Sequence, residues 1–174
     1  MTGAADDTPA MATAATANLC DAHAEKIWSP TGGQRFTVTA ATAGPACARA
    51  EATLIVRGAD NAELLRFTAL TEHIFDLREA VDSEAMAAAL AAWIDQSQSQ
   101  LGTTARLPEW PHGAGEPGGE FPFYPEERVS RAAYLAKRAA NLPMFCFTQG
   151  LESLACYVLE NGALERLGVQ TFPG

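Results

Sequence analysis

The densest run of apolar positions in the chain is LPMFCFTQGLESLACYVLENGALERLGVQTF, residues 142–172, and its alternation predicts β-strands. Asn161-Gly162 separates two of its apolar segments, and a two-residue link in which both residues tolerate positive φ is the strongest local hairpin signal. It pairs Leu159 with Leu164 and Tyr157 with Arg166. A looser turn around Gly150 folds Met144–Thr148 back onto Leu154–Leu159 and sets Cys146 opposite Cys156. A period of two places Met144, Cys146, Leu154, Cys156, Val158, Leu167 and Val169 on one face, and Phe145, Phe147, Tyr157, Leu159 and Leu164 on the other. Both faces are apolar, so this three-stranded meander, about 143–172, needs cover on each side.

A second three-stranded meander is expected over about 35–70. Arg35–Ala40 and Glu63–Leu70 alternate, Ala50–Val56 is rich in Thr, Leu, Ile and Val, and Gly44-Pro45 and Gly58–Asn61 punctuate them as turns. Leu19–Trp28 carries a weaker pattern and is expected as a short helix or an irregular lead-in. Further on, Asp82-Ser83 offers an N-cap to a stripe of Met86, Leu90, Trp93, Ile94, Ser97 and Leu101, which predicts a helix over about 82–101. Pro125 and Pro143 bracket a second helix over about 126–140, with Val129, Ala132, Leu135, Ala136 and Ala139 toward the sheet and Arg128, Arg131 and Arg138 in water. Strands, then helices, then strands give an α+β fold class, with antiparallel sheets and helical cover in one domain over 19–174.

Residues 1–18, MTGAADDTPAMATAATAN, lack aliphatic bulk and are expected as a disordered spacer, a composition that follows a cleaved export signal or a lipidated N-terminus. Four cysteines, an even number, suit two disulfides in an oxidising compartment; reduced, buried thiols in the cytosol are the alternative. Phe36 to Cys47 and Phe145 to Cys156 have the same spacing. If the meanders are equivalent, Thr37 stands where Cys146 does, which leaves Cys47 for Cys20. The expected pairs are therefore Cys20 with Cys47 and Cys146 with Cys156. None of the four has the Cys-x-x-Cys or Cys/His spacing of a zinc site, so no metal is assigned.

A formal net charge of −9 opposes nucleic acid and anionic membrane surfaces as partners. No stretch reaches the ~20 apolar residues of a transmembrane helix. The segment LPEWPHGAGEPGGEFPFYP, residues 107–125, holds five of the ten prolines, so side chains must order it. Trp110, Phe121, Phe123 and Tyr124, with His112 among them, either pack down as a lid or present a binding face. Glu109, Glu116 and Glu120 make such a face acidic, which suits a cationic partner or a sugar ring stacked on an aromatic. Glu72-His73-Ile74-Phe75-Asp76 groups an imidazole with two carboxyls, and strand periodicity turns His73 away from both acids. No catalytic residue or cofactor is assigned. The expectation is a non-enzymatic exported envelope protein that binds another protein or an envelope component. The alternative is a small periplasmic hydrolase using His73 or His112 with Glu72, Asp76 or Glu109.

Overall fold

This computed structural model describes residues 19–172; the spacer expected over 1–18 lies outside them. The described residues form strands β1 (Ala22–Trp28), β2 (Phe36–Ala43), β3 (Glu51–Arg57), β4 (Glu63–Leu70), β5 (Phe123–Pro125), β6 (Met144–Thr148), β7 (Ser153–Glu160) and β8 (Ala163–Thr171). Two helices, α1 (Ser83–Trp93) and α2 (Arg131–Ala140), complete an α+β fold. The strands make two antiparallel sheets of four, ordered β1-β2-β3-β4 and β5-β8-β7-β6. Each sheet thus has one strand more than the sequence pattern predicts.

The extra strands have weak sequence signals for physical reasons. In β1 the inward positions are Ala22, Ala24 and Trp28, while Ile27 points outward and is 48% exposed, so small residues mask the alternation. β5 ends at a proline, which lacks the N–H a ladder uses. It reaches β8 because residue 168 is a glycine: a Cβ there would lie 2.3 Å from the Tyr124 carbonyl oxygen and 2.7 Å from the Phe123 ring.

The hairpin at Asn161-Gly162 has φ of 53° and 76°, and it pairs Leu159 with Leu164 and Tyr157 with Arg166. Cys146 lies directly opposite Cys156, and the two are disulfide-bonded. A register shift between Cys156 and Tyr157 leaves Leu167 as an extra residue on β8. Val169 therefore stands opposite Ala155, on the Phe147 face rather than the Cys146 face expected for it. Cys20 is bonded to Cys47. The two meanders are not equivalent at these positions, because Cys47 opens a 3₁₀ turn while Cys156 sits within β7. The Cys20 N–H donates to the Gly44 carbonyl at 2.8 Å, and that contact, not a repeat, brings the lead-in beside the β2–β3 turn.

The second sheet divides the core. Phe145, Phe147, Ala155, Leu159 and Leu164 face the first sheet and α1, whose Val38, Leu54, Val56, Met86 and Leu90 are all buried. Met144, Cys146, Cys156, Val158 and Leu167 face Tyr134 of α2 and the loop residues Leu101 and Leu107. Phe147 is the hub: its ring lies 5.0 Å from Phe67, 6.1 Å from Trp93, and 6.0 Å from both Phe145 and Tyr157. Trp28 extends the cluster, at 5.3 Å from Phe145 and 5.1 Å from Phe36.

Both helices are shorter than expected. The Asp82 side chain caps α1 through the Ala85 N–H, but the helix stops at Trp93 rather than near residue 101. Beyond it Asp95 accepts from the Ser97 N–H, a local bond that competes with helix continuation. Gln96 meanwhile turns to the free edge of β6: its Nε2 donates to the Cys146 carbonyl at 2.8 Å and its Oε1 accepts from the Cys146 N–H at 3.2 Å. One amide thus stands in for a neighbouring strand residue. Trp93 Nε1 donates to the Thr148 carbonyl at 2.8 Å, and the Met144 N–H donates to the Gly102 carbonyl at 3.0 Å, so most of the outward backbone groups of this edge have partners. α2 starts at Arg131, capped by Ser130, rather than near residue 126, because the Glu126 N–H still bonds the Leu167 carbonyl at the end of β5. Its buried residue is Tyr134, and Ala132, Ala136 and Ala139, expected inward, are exposed.

Phe147→Ala should destabilise the fold by about 3–5 kcal/mol, the range for truncating a buried aromatic. Urea unfolding checks this; a loss below about 1 kcal/mol would mean that Phe147 is not the hub.

Candidate functional site

The loop over 107–125 is organised from beneath by α2. Its prolines remove N–H donors, so its carbonyls need partners from elsewhere. Arg131 Nε donates to the Trp110 carbonyl at 3.0 Å, Tyr134 Oη to Pro108 at 2.7 Å and Arg138 Nε to Leu107 at 2.9 Å. Steps of three and four residues put these three donors on one helix face. Arg131 and Arg138, expected in water, are tied to the loop instead. Thr104 Oγ1 also donates to the Lys137 carbonyl and accepts from the Leu142 N–H, locking the start of the loop to the end of α2.

The five aromatic and imidazole residues singled out in this loop do not share one face. Phe123 is fully buried, 6.0 Å from the Tyr134 ring. Trp110 is half-buried, with its ring edge-on to Tyr134 at 5.4 Å and its Nε1 donating to the Ala114 carbonyl. Tyr124, on the opposite side of β5 from Phe123, is exposed; with Trp110, Glu116 and Glu127 it lines a shallow concavity of about 250 Å³. His112 is exposed and lines neither this concavity nor the larger groove described next. Phe121, 40% exposed, stands on the rim of that groove.

The groove, about 350 Å³, runs between the sealed edge of β6 and the segment that follows α1. Its floor is Phe147, Thr148 and Leu154, and Phe121 and Phe172 frame it. The ring of Phe75 meets that of Phe172 edge-on at 5.7 Å, and Arg78 lies over the outer Phe75 ring at 5.1 Å. Polar groups come from four stretches of chain: Asp76; Asp95 with Gln98, Ser99 and Gln100; Thr148; and Gln170. Asp76 accepts a hydrogen bond from Thr148 Oγ1. The Asp95 carboxyl is held below the usual carboxylate range by hydrogen bonds from Ser97, with Lys26, 3.9 Å away, adding a weaker pull. Gln170 Nε2 donates to the Phe121 carbonyl at 3.2 Å, fixing that corner of the rim.

Sequence reasoning missed Asp95, Gln98 and Gln100, because it ran the helix through 95–101, and it did not single out Gln170 and Phe172 at the end of β8. The run Asp95-Gln96-Ser97-Gln98-Ser99-Gln100 held the signal: it has no apolar residue and opens with a side chain that favours turns.

The groupings considered for catalysis are dispersed. His73 lies 3.7 Å from Glu72, both well exposed, while Asp76 turns to Thr148. Glu109 pairs with Arg138 at 3.8 Å. None of the three histidines, all within the described residues, lines the groove. Among the described residues no group of three His, Cys, Asp or Glu is placed to hold a metal ion. None of the protein-family models, curated proteins or solved structures compared with this chain matches it.

Burial pushes the Tyr134 phenol well above its ordinary pKa of 10.0. The folded state therefore keeps a proton that the unfolded chain releases near pH 10, so stability present below that pH is lost as pH rises beyond it. Tyr134→Phe should cost about 1–2 kcal/mol at neutral pH by leaving the Pro108 carbonyl without its donor. It should also flatten the fall in stability above pH ~10. Urea midpoints across pH 7–11 check both, and an unchanged alkaline slope would contradict the assignment.

Proposed function

We propose that this protein is an exported, non-enzymatic binding module that acts through the groove beside β6. One observation carries the reading: aromatic rings, side-chain amides and two carboxyls from four separate stretches converge on one cleft whose floor is the most deeply packed strand of the fold. A site built on a rigid strand holds its geometry better than one built on a loop alone. Its size falls at the lower end of the range for small-ligand sites, about 300–1,000 Å³. Phe121 brings the proline-rich loop into the site, while Phe123 and Trp110 anchor that loop to α2.

Export is supported by the chemistry of the cysteines. All four are bridged, and disulfides persist in oxidising compartments such as the periplasm or cell exterior. No helix among the described residues is long and apolar enough to cross a membrane. The net charge of −9 favours a neutral or cationic envelope component over nucleic acid or an anionic lipid surface.

Two measurements test this. Alkylating the protein at lysis of its own cells and counting free thiols after denaturation should give none of the four; four reactive thiols would sink the export reading. Titrating isotope-labelled protein with soluble envelope extract should shift backbone resonances of Gln98–Leu101, Phe121 and Phe147. Shifts confined to the Trp110–Tyr124 concavity, or no shifts, would place the activity elsewhere.

A further inference from the structure

We infer that the occupant of this groove is a neutral carbohydrate chain, a step that rests on the groove being the binding site. The lining is what distinguishes it. Gln98 and Gln100 bring primary amides, each with two donor hydrogens and an acceptor oxygen; Gln170, whose Nε2 already donates to the Phe121 carbonyl, adds a third amide, and Ser99 adds a hydroxyl. Asp76 and Asp95 add acceptors. Sugar hydroxyls both donate and accept, so they match a wall that alternates the two functions. A cation supplies donors only and would leave the amide hydrogens facing it.

The electrostatics point the same way. An anion would meet two carboxyls with no cationic side chain among the lining residues. A cation would find both acids already engaged: Asp76 accepts from Thr148, and Asp95 accepts from Ser97 with Lys26 3.9 Å away. The net pull on a further positive charge is thereby reduced, while the carboxyl oxygens still have lone pairs for hydroxyl donors. The apolar part of the cleft suits the C–H face of a pyranose. Phe121 is 40% exposed at the rim, Phe172 stands with it, and Leu154 and Phe147 give an apolar floor. Gln96, the first glutamine of the same segment, spends both ends of its amide on Cys146 and fixes the wall from which Gln98 and Gln100 project. At about 350 Å³ the cleft holds a short stretch of sugar rings, not a folded partner.

The test is a titration of the full, oxidised chain, followed by backbone amide shifts and tryptophan fluorescence, with cellotriose, maltotriose and N,N′,N″-triacetylchitotriose as neutral probes and trilysine as the cationic probe. At least one trisaccharide should shift the amides of Gln98–Leu101 and Phe121 saturably at millimolar concentration. The Gln100→Ala/Phe121→Ala double variant should weaken that binding by about tenfold or more, the scale of losing one stacking contact with its hydrogen bond. Its unfolding midpoint should stay near that of the parent chain, since both side chains are exposed. If trilysine alone shifts these amides, the carbohydrate assignment falls and the groove survives as a cation site. Sugar-induced shifts around Trp110 and Tyr124 instead would overturn the location. Silence from all four probes would refute the carbohydrate assignment, while groove shifts with envelope extract would still uphold the binding site itself.

Discussion

Packing around Phe147 is the constraint on which the rest of the structure depends. All five residues of β6 are buried, an uncommon condition for a strand at the end of its sheet. Phe145 and Phe147 go into the cluster shared with Trp28, Phe67 and Trp93, while Met144 and Cys146 go into the cluster beneath α2. Burying each large apolar side chain is worth about 1.5–3 kcal/mol, and a well-placed aromatic pair adds about 0.5–1.5 kcal/mol. Of the four rings within 6.1 Å of Phe147, Phe67 belongs to the first sheet, Trp93 to α1, and Phe145 and Tyr157 to its own sheet; with Trp28 against Phe145, aromatic side chains rather than a backbone ladder join the two sheets.

An edge strand buried on both faces still has outward N–H and C=O groups, and leaving them without partners would cost about 1–3 kcal/mol apiece. The segment after α1 meets that demand. Gln96 satisfies both backbone groups of Cys146, and Trp93 satisfies the Thr148 carbonyl. To do so the chain leaves the helix at Trp93 and passes beside β6 through a series of turns. The groove is a by-product of that path. The same detour that seals the edge carries Gln98 and Gln100 along the opening between the segment and the sheet, so fold stability and the candidate site share one structural cause.

Strong local chemistry was legible in the sequence. Asn161-Gly162 specified the hairpin and its register, and alternation separated the Phe145 and Phe147 face from the Met144 and Cys146 face. The Cys146 to Cys156 bridge followed from that register, whereas the Cys20 to Cys47 bridge was reached through an equivalence the fold does not contain. What escaped was decided by tertiary partners. Alanines at the inward positions of β1 left no pattern to read, and Gly168 announces its role only once β5 is seen lying against it. α2 presented an alanine stripe, yet the fold turned inward Tyr134, Arg131 and Arg138, because an adjoining proline-rich loop lacked donors for its carbonyls. Of the loop residues proposed for binding, only Phe121 reached the larger cleft. Asp95, Gln98, Ser99 and Gln100 of the groove lay in a polar run that helical periodicity had absorbed.

The central physical claim is that β6 unites both sheets in one cooperative body whose surface carries the cleft. Native-state hydrogen exchange of the oxidised protein tests it most directly, by comparing the slowest amides of β2 and β3 with those of β6 and β7. A common opening free energy, equal to that of global unfolding, is the expected result. If the β6 and β7 amides opened more easily than those of β2 and β3 by about 2 kcal/mol or more, the two sheets would be separate units and the account would fail.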